Sequence, residues 1–209
     1  MAIKSYIDIN FNKRSKKRFI QTFFYRSSKV KKSSVLMLCG PDVISHYNDY
    51  MIISSNSGNS KLYIAEIDTK VYNKNIIDLK KIKNLKYNVV NDDIINCPIR
   101  RFVDLDFCSL LNTNLKTINT MYNKMLKIKS KLNKHILVTF AINRNSHGTD
   151  NTSFEDNINS LCKLFNITND FIKLDLLPHS NIMKHNTVDC MYSKYRDGAP
   201  MCTFSFQFK

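Results

Sequence analysis

The stretch SSVLMLCGPD, residues 33–42, decides how the rest of the chain is read. Val35 to Leu38 make a short unbroken apolar run, and Gly40 and Pro41 stop it. A run without polar alternation suits a strand buried on both faces, as in a parallel sheet, and the Gly-Pro pair turns the chain out of it. The pattern predicts a first parallel strand and a loop from Cys39 to Asp42. It recurs outward from there. After the small polar stretch SNSGNS (55–60), KLYIAEID (61–68) predicts a second strand closed by Glu66 and Asp68. A helix is expected around residues 70–82, and YNVVNDDIINC (87–97) predicts a third strand ending at Asp92 and Asp93. RRFVDLDFCSLL (100–111) is a fourth, whose Asp104 and Asp106 put charge where a purely structural buried strand would not want it. HILVTFAIN (135–143) is a fifth.

Between the fourth and fifth runs, Leu115, Ile118, Met121, Met125, Ile128 and Leu132 recur at spacings of three or four, the stripe of an amphipathic helix. Its polar side carries Lys116, Lys124, Lys127, Lys129, Lys131 and Lys134 without an acid. SFEDNINSLCKLF (153–165) predicts a helix opened at Ser153, with Asp156 three residues on as in a capping box. DCMYSKYRDGAPMCTFSFQF (189–208) reads as two β runs joined at Asp197-Gly198, a strong hairpin signal. Strands alternating with helices and a closing hairpin make a three-layer α/β sandwich with a mostly parallel sheet.

The length of 209 residues suits one domain. A hydrophobic fraction of 43%, with 13 Phe and 10 Tyr, excludes the disordered class. No apolar run approaches the roughly 18–20 residues of a membrane span, and the charged N-terminus does not read as a signal peptide, so a soluble cytoplasmic protein is expected. The six cysteines form no CxxC pair and mostly sit in apolar runs, which favours buried thiols. The five histidines form neither HxH nor HExxH spacing, and no metal is expected.

The formal charge of +15, from 32 Lys and Arg against 17 Asp and Glu, points to an anionic partner, of which nucleic acid is the commonest. Abundant Lys, Asn and Ile also reflect the coding style of an AT-rich genome, as in a phage, a virus or a low-GC bacterium. Clustering argues against composition alone. Residues 1–34 hold ten cations, among them Lys13, Arg14, Lys16, Lys17, Arg18, Lys31 and Lys32, against the single acid Asp8. Within them RSKKRFIQTFFYR (14–26) sets Phe19, Ile20, Phe23 and Phe24 on one stripe, predicting a basic helical extension over 1–33 packed on a domain of residues 34–209.

In open parallel sheets ligands bind beyond the carboxyl ends of the strands. Four successive ends are marked here: CGPD, EID, NDD and DLDF. Each acid alone is explained by capping or turn formation. Their order and spacing together resemble the Rossmann-like (class I) S-adenosylmethionine (SAM)-dependent methyltransferases, by motif over residues 34–145 and by topology to the end. The resemblance implies that Cys39, Gly40, Pro41 and Asp42 lie where the cofactor's amino acid part is held. It implies Glu66, or Asp68, on the ribose hydroxyls and Asp93, or Asp92, on the adenine amine. Asp104 and Asp106 would stand by the reacting methyl group. The loop departs from the family's glycine-rich pattern in keeping one glycine, and the fourth motif lacks a Pro-Pro pair.

The resulting expectation is a SAM-dependent methyltransferase acting on RNA or DNA. The alternative is a methyltransferase-like protein without turnover that binds nucleic acid or serves in assembly, consistent with the single glycine. A dinucleotide-dependent enzyme is disfavoured, because no GxGxxG follows the first strand.

Overall fold

The computed structural model describes residues 34–41, 43–44, 61–83, 85–130, 133–141, 150–170, 172–177, 180–185, 187–197 and 199–209. The expected basic helix, with Lys13, Arg14, Lys16, Lys17, Arg18, Lys31 and Lys32, lies outside these residues, as does Asp42.

The apolar runs become strands β1 (Val35–Met37), β2 (Leu62–Ala65), β3 (Tyr87–Val90), β4 (Phe102–Leu110) and β5 (Lys134–Ala141). They pair in parallel in the order β3-β2-β1-β4-β5. The reversal of direction at β1 and β4 is the topological switch point, where a crevice opens at the carboxyl ends. Helix α1 (Thr69–Lys80) joins β2 to β3, and helix α2 (Leu111–Leu126) joins β4 to β5. Helix α3 (Asp150–Leu164) follows β5.

Two apolar clusters occupy the two faces of the sheet, giving the three layers. On one face Leu36, Val103, Leu105, Ile136 and Val138 pack with Ile118, Met121 and Met125 of α2 and with Ile158, Leu161 and Phe165 from the α3 side. On the other, Val35, Met37, Leu62, Ile64 and Phe102 pack with Leu79 of α1. Alternation along each strand sends neighbours to opposite faces, so short runs fill both cores.

The C-terminal hairpin of β8 (Val188–Asp197) and β9 (Ala199–Phe208) forms as expected, with β9 antiparallel to β5. Two strands the sequence did not announce, β6 (Ile172–Leu177) and β7 (Ser180–Lys184), extend the hairpin into a meander. The whole is a nine-stranded sheet of order β3-β2-β1-β4-β5-β9-β8-β7-β6.

Two helix boundaries differ from expectation. The apolar stripe runs on past Met125 in sequence, but α2 stops at Leu126 because the chain must turn back to begin β5. Lys134 donates to the Leu126 carbonyl at 3.1 Å, satisfying a group the helix end leaves open, and Ile128 still packs on the core from outside the helix. Helix α3 begins at Asp150, which places Ser153 inside it instead of at its cap. Its far end closes on Asn166, at φ 52°, with Ile167 N–H donating to the Cys162 carbonyl at 3.0 Å. That is the left-handed termination for which Asn is the common substitute for Gly. Among the described residues no helix is long and apolar enough to cross a membrane.

Candidate functional site

Register aligns the marked strand ends. Met37, Ile64, Val89, Asp104 and Leu137 form one row across the five parallel strands. Two residues further along each chain stand Cys39, Glu66, Asn91, Asp106 and Thr139. The sheet thus brings Cys39, Gly40, Glu66 and Asp106 to one edge, which is what a bound small molecule spanning the switch point requires.

The loop after β1 is built around its one glycine. Gly40 has φ 52°, a left-handed conformation that residues with a side chain rarely adopt, and among the described residues a Cβ there would meet nothing within 4 Å. The single glycine of this loop therefore occupies a position that needs one. Asn75 of α1, fully buried, holds the loop: its amide donates to the Gly40 carbonyl at 3.0 Å and lies 3.8 Å from the Cys39 sulfur. Lys74 donates to the Pro41 carbonyl. Asn75 falls on the buried stripe of α1, four residues before Leu79, and its polar character at an apolar position was the signal available in the sequence.

The acids divide between structural and open groups. Asp68 caps α1, one carboxylate oxygen accepting from the N–H groups of Lys70 at 2.8 Å and Val71 at 3.0 Å. Glu66 is half-buried; its Oε1 accepts from the Asp68 N–H at 2.9 Å, which orients the carboxylate and leaves Oε2 for a ligand. Between them Ile67 is 72% exposed, a large apolar side chain at the mouth of the site. Asp93 caps the short 3-10 turn Ile94–Asn96 through the Ile95 N–H at 3.1 Å. Asp92 accepts from Asn96 at 2.9 Å and from the Asp93 N–H at 2.7 Å, and these two bonds hold its carboxyl below the ordinary range. Asn91, which the sequence did not single out, ties the ends of β2 and β3 together, donating to the Glu66 carbonyl at 2.8 Å and accepting from Thr69 at 3.0 Å.

Asp104 and Asp106 share the α1-side face of β4 but not the same depth. Asp104 is 1% exposed and sits within the sheet between Met37 and Leu137. Asp106 is half-buried and is the last residue before the β4–β5 register shifts, the ladder resuming only at Leu110–Ala141. Four residues of β4 there span two of β5, so the chain bulges outward beside the site, a placement typical of functional edges. Among the described residues no group of three or more His, Cys, Asp or Glu is placed to hold a metal ion.

No protein-family model matches the sequence, and no curated protein matches it either. Solved structures do match in fold. An rRNA methylase from Clostridium thermocellum superposes with a TM-score of 0.55, covering 95% of this chain and 98% of that one at 15% identity. TYW2 of M. jannaschii, solved in complex with AdoMet, gives 0.56 over 97% of this chain and 79% of its own at 11% identity. A precorrin-6y C5,15-methyltransferase from Geobacter metallireducens gives 0.54 over 96% and 92% at 11% identity. At identities this low the superpositions show the fold alone: it is the Rossmann-like fold of these methyltransferases.

Proposed function

We propose that the chain binds S-adenosylmethionine at the carboxyl edge of β1–β4 and transfers its methyl group to a nucleic acid, RNA or DNA. The observation that carries this reading is Glu66, whose carboxylate is fixed through one oxygen and open through the other, in one row with the Cys39–Gly40 loop and Asp106. A carboxylate so held suits two vicinal ribose hydroxyls. Exposed Ile67 offers an apolar wall for the adenine ring, and the second oxygen of Asp93 an acceptor for its amine, with Asp92 beside it. Asp68 is committed to its helix and supports Glu66 through the backbone. The left-handed Gly40, with Pro41 after it, lets main chain approach the cofactor's amino acid part.

When bound, the cofactor supplies an activated methyl group, so the protein's task is chiefly proximity and orientation of the acceptor. Asp106, at the bulge, stands at the acceptor end and can orient a nucleophilic N–H or O–H by accepting its hydrogen bond. Asp104, buried below it, is a positioning residue. The structural neighbours include RNA methylases, and the charge of +15 favours a phosphate-bearing acceptor.

A thermal titration tests the binding step. SAM at ~100 times its dissociation constant should add roughly 2.7 kcal/mol of stability. Glu66→Ala and Asp93→Ala should each remove that gain, while lowering the stability of the unliganded protein by no more than the roughly 1–2 kcal/mol of a lost cap or turn bond. The absence of any shift at millimolar SAM would end the proposal.

A further inference from the structure

The charges of the domain are segregated along the strand direction. Glu66, Asp68, Asp92, Asp93 and Asp106 lie at the carboxyl edge, and the segments leading into the parallel strands at the opposite edge are basic. Lys61 leads into β2 and Arg100–Arg101 into β4. The turn from α1 to β3 reads KKIKNLK (80–86), and the turn from α2 to β5 reads KIKSKLNK (127–134). Neither contains an acid. The nearby carboxylates are already engaged: Asp78 pairs with Lys81 at 2.7 Å and Lys74 at 3.1 Å, and Asp189 with Lys209 at 2.9 Å.

We propose that this amino edge is a nucleic-acid-binding surface that grips the phosphate backbone, on the opposite side of the sheet from the candidate cofactor site. Three observations carry it. Lys83, Lys127 and Lys129 are exposed, and among the described residues no carboxylate lies within ion-pair distance of them. The track is held in place: besides the Lys134 contact described above, Arg101 donates to the Asn133 carbonyl at 3.3 Å, and Lys124 donates to the Ile95 carbonyl. Finally, the β3-to-β5 run covers four interstrand spacings of about 4.8 Å, roughly 19 Å in all, enough to lie beside several phosphates, which in a duplex recur every ~3.4 Å of helix axis on each strand.

Complementing helix dipoles does not account for the pattern. Lysines after α1 and α2 do face the negative helix ends, but Arg100–Arg101 follow no α-helix end and carry the same charge. Tyr63, one of the rings near this edge, is covered by the Arg100 guanidinium at 3.9 Å and the Lys61 ammonium at 5.2 Å. With that ring occupied by the protein's own cations, the contacts proposed here are lysine to phosphate, which position a nucleic acid without reading its sequence.

The test measures binding of the full chain to a fluorescein-labelled 20-nucleotide RNA of mixed sequence across a salt series, without SAM. Lys83→Glu/Lys127→Glu/Lys129→Glu should weaken binding at least ten-fold and flatten the log-log salt slope by about 2, from about 0.7 to 0.9 per lost phosphate contact. The matched Lys→Gln variants, which remove charge without adding repulsion, should follow in the same direction. A control pair away from this edge, Lys70→Glu/Lys116→Glu, should cost less than three-fold. Equal losses from edge and control variants, no binding by the parent chain at 50 mM salt, or equally effective competition by polyglutamate would each overturn the proposal. SAM-dependent stabilisation measured on the same variants should match the parent, which separates failure at this edge from failure of the cofactor site.

Discussion

The two faces of the β5–β9 pair are made by the same two strands and have opposite chemistry. Toward α2 and α3 they present Ile136, Val138, Phe140, Phe204 and Phe206, all essentially inaccessible to solvent. Phe165 meets Phe206 edge-on at 4.9 Å and Tyr122 at 4.7 Å, and the Tyr122 hydroxyl donates to the Phe165 carbonyl at 3.0 Å. The other face presents His135, Thr139, Thr203 and Ser205, equally buried. There the Thr139 and Thr203 hydroxyls hydrogen-bond across the strands at 2.9 Å, and His135 stacks on Phe102 at 5.1 Å. The difference teaches that burial alone does not define the core of this domain. One face is held by area and packing alone; the other sets polar groups beside Leu137, and of these Thr139 and Thr203 satisfy each other.

The apolar face should give way most when cut. Phe206→Ala removes a ring in contact with Phe165, Phe204 and Phe208. A loss of about 3–5 kcal/mol is expected in urea unfolding. A loss below 1 kcal/mol would mean that this face repacks freely and that the contrast is false.

The polar face should respond to pH instead. Burial, and after it the charge of Arg101, lowers the His135 imidazole from 6.5 to about 3, so it is neutral in the folded protein. The unfolded chain takes up a proton between those values that the folded chain does not. The contribution is complete above about pH 6.5 and is lost as pH falls toward 3, at up to ~1.4 kcal/mol per pH unit, or about 2 kcal/mol by pH 5. His135→Phe keeps a ring against Phe102 and removes the titration. Its stability curve should lack that slope, and curves running parallel from pH 7 to 5 would refute the assignment.

The smallest effect, and the sharpest contrast, lies in the threonine pair. Thr139→Val strands the Thr203 hydroxyl and should cost roughly 1–2 kcal/mol, whereas Thr139→Val/Thr203→Val should recover most of the loss, because replacing both partners leaves nothing unsatisfied. Additive losses in a double-mutant cycle would show that the 2.9 Å contact carries no coupling.

The parallel half of the sheet was legible because each of its strands is a compact apolar run with turn residues behind it. Strands β6 and β7 were not, since KLDLL and SNIMK interleave polar and charged residues with apolar ones and gain their stability as outer members of a meander begun by β8 and β9. At the site, the positions of Glu66, Asp93 and Asp106 at strand ends followed from the sequence. Their division of labour did not. Asp68 and Glu66 stand two residues apart with the same charge, and only the capping geometry commits one to α1 and leaves the other an open oxygen. Asn91 escaped notice because an isolated asparagine in a sequence rich in them carries no local signal, and Asn75 because its one signal, a polar residue on an apolar helix stripe, is diluted in so asparagine-rich a chain.

By itself the sequence determined the layered α/β architecture, the acids at consecutive strand ends and the excess of positive charge, because hydrophobic periodicity and composition are properties of the chain before it folds. Tertiary structure alone decided which acids remain available, that the single glycine sits at the left-handed position of its loop, and that acids and bases separate to opposite edges of the sheet. Those facts depend on register and on the direction in which parallel strands are laid side by side, which brings together residues tens of positions apart and which no local stretch of sequence encodes.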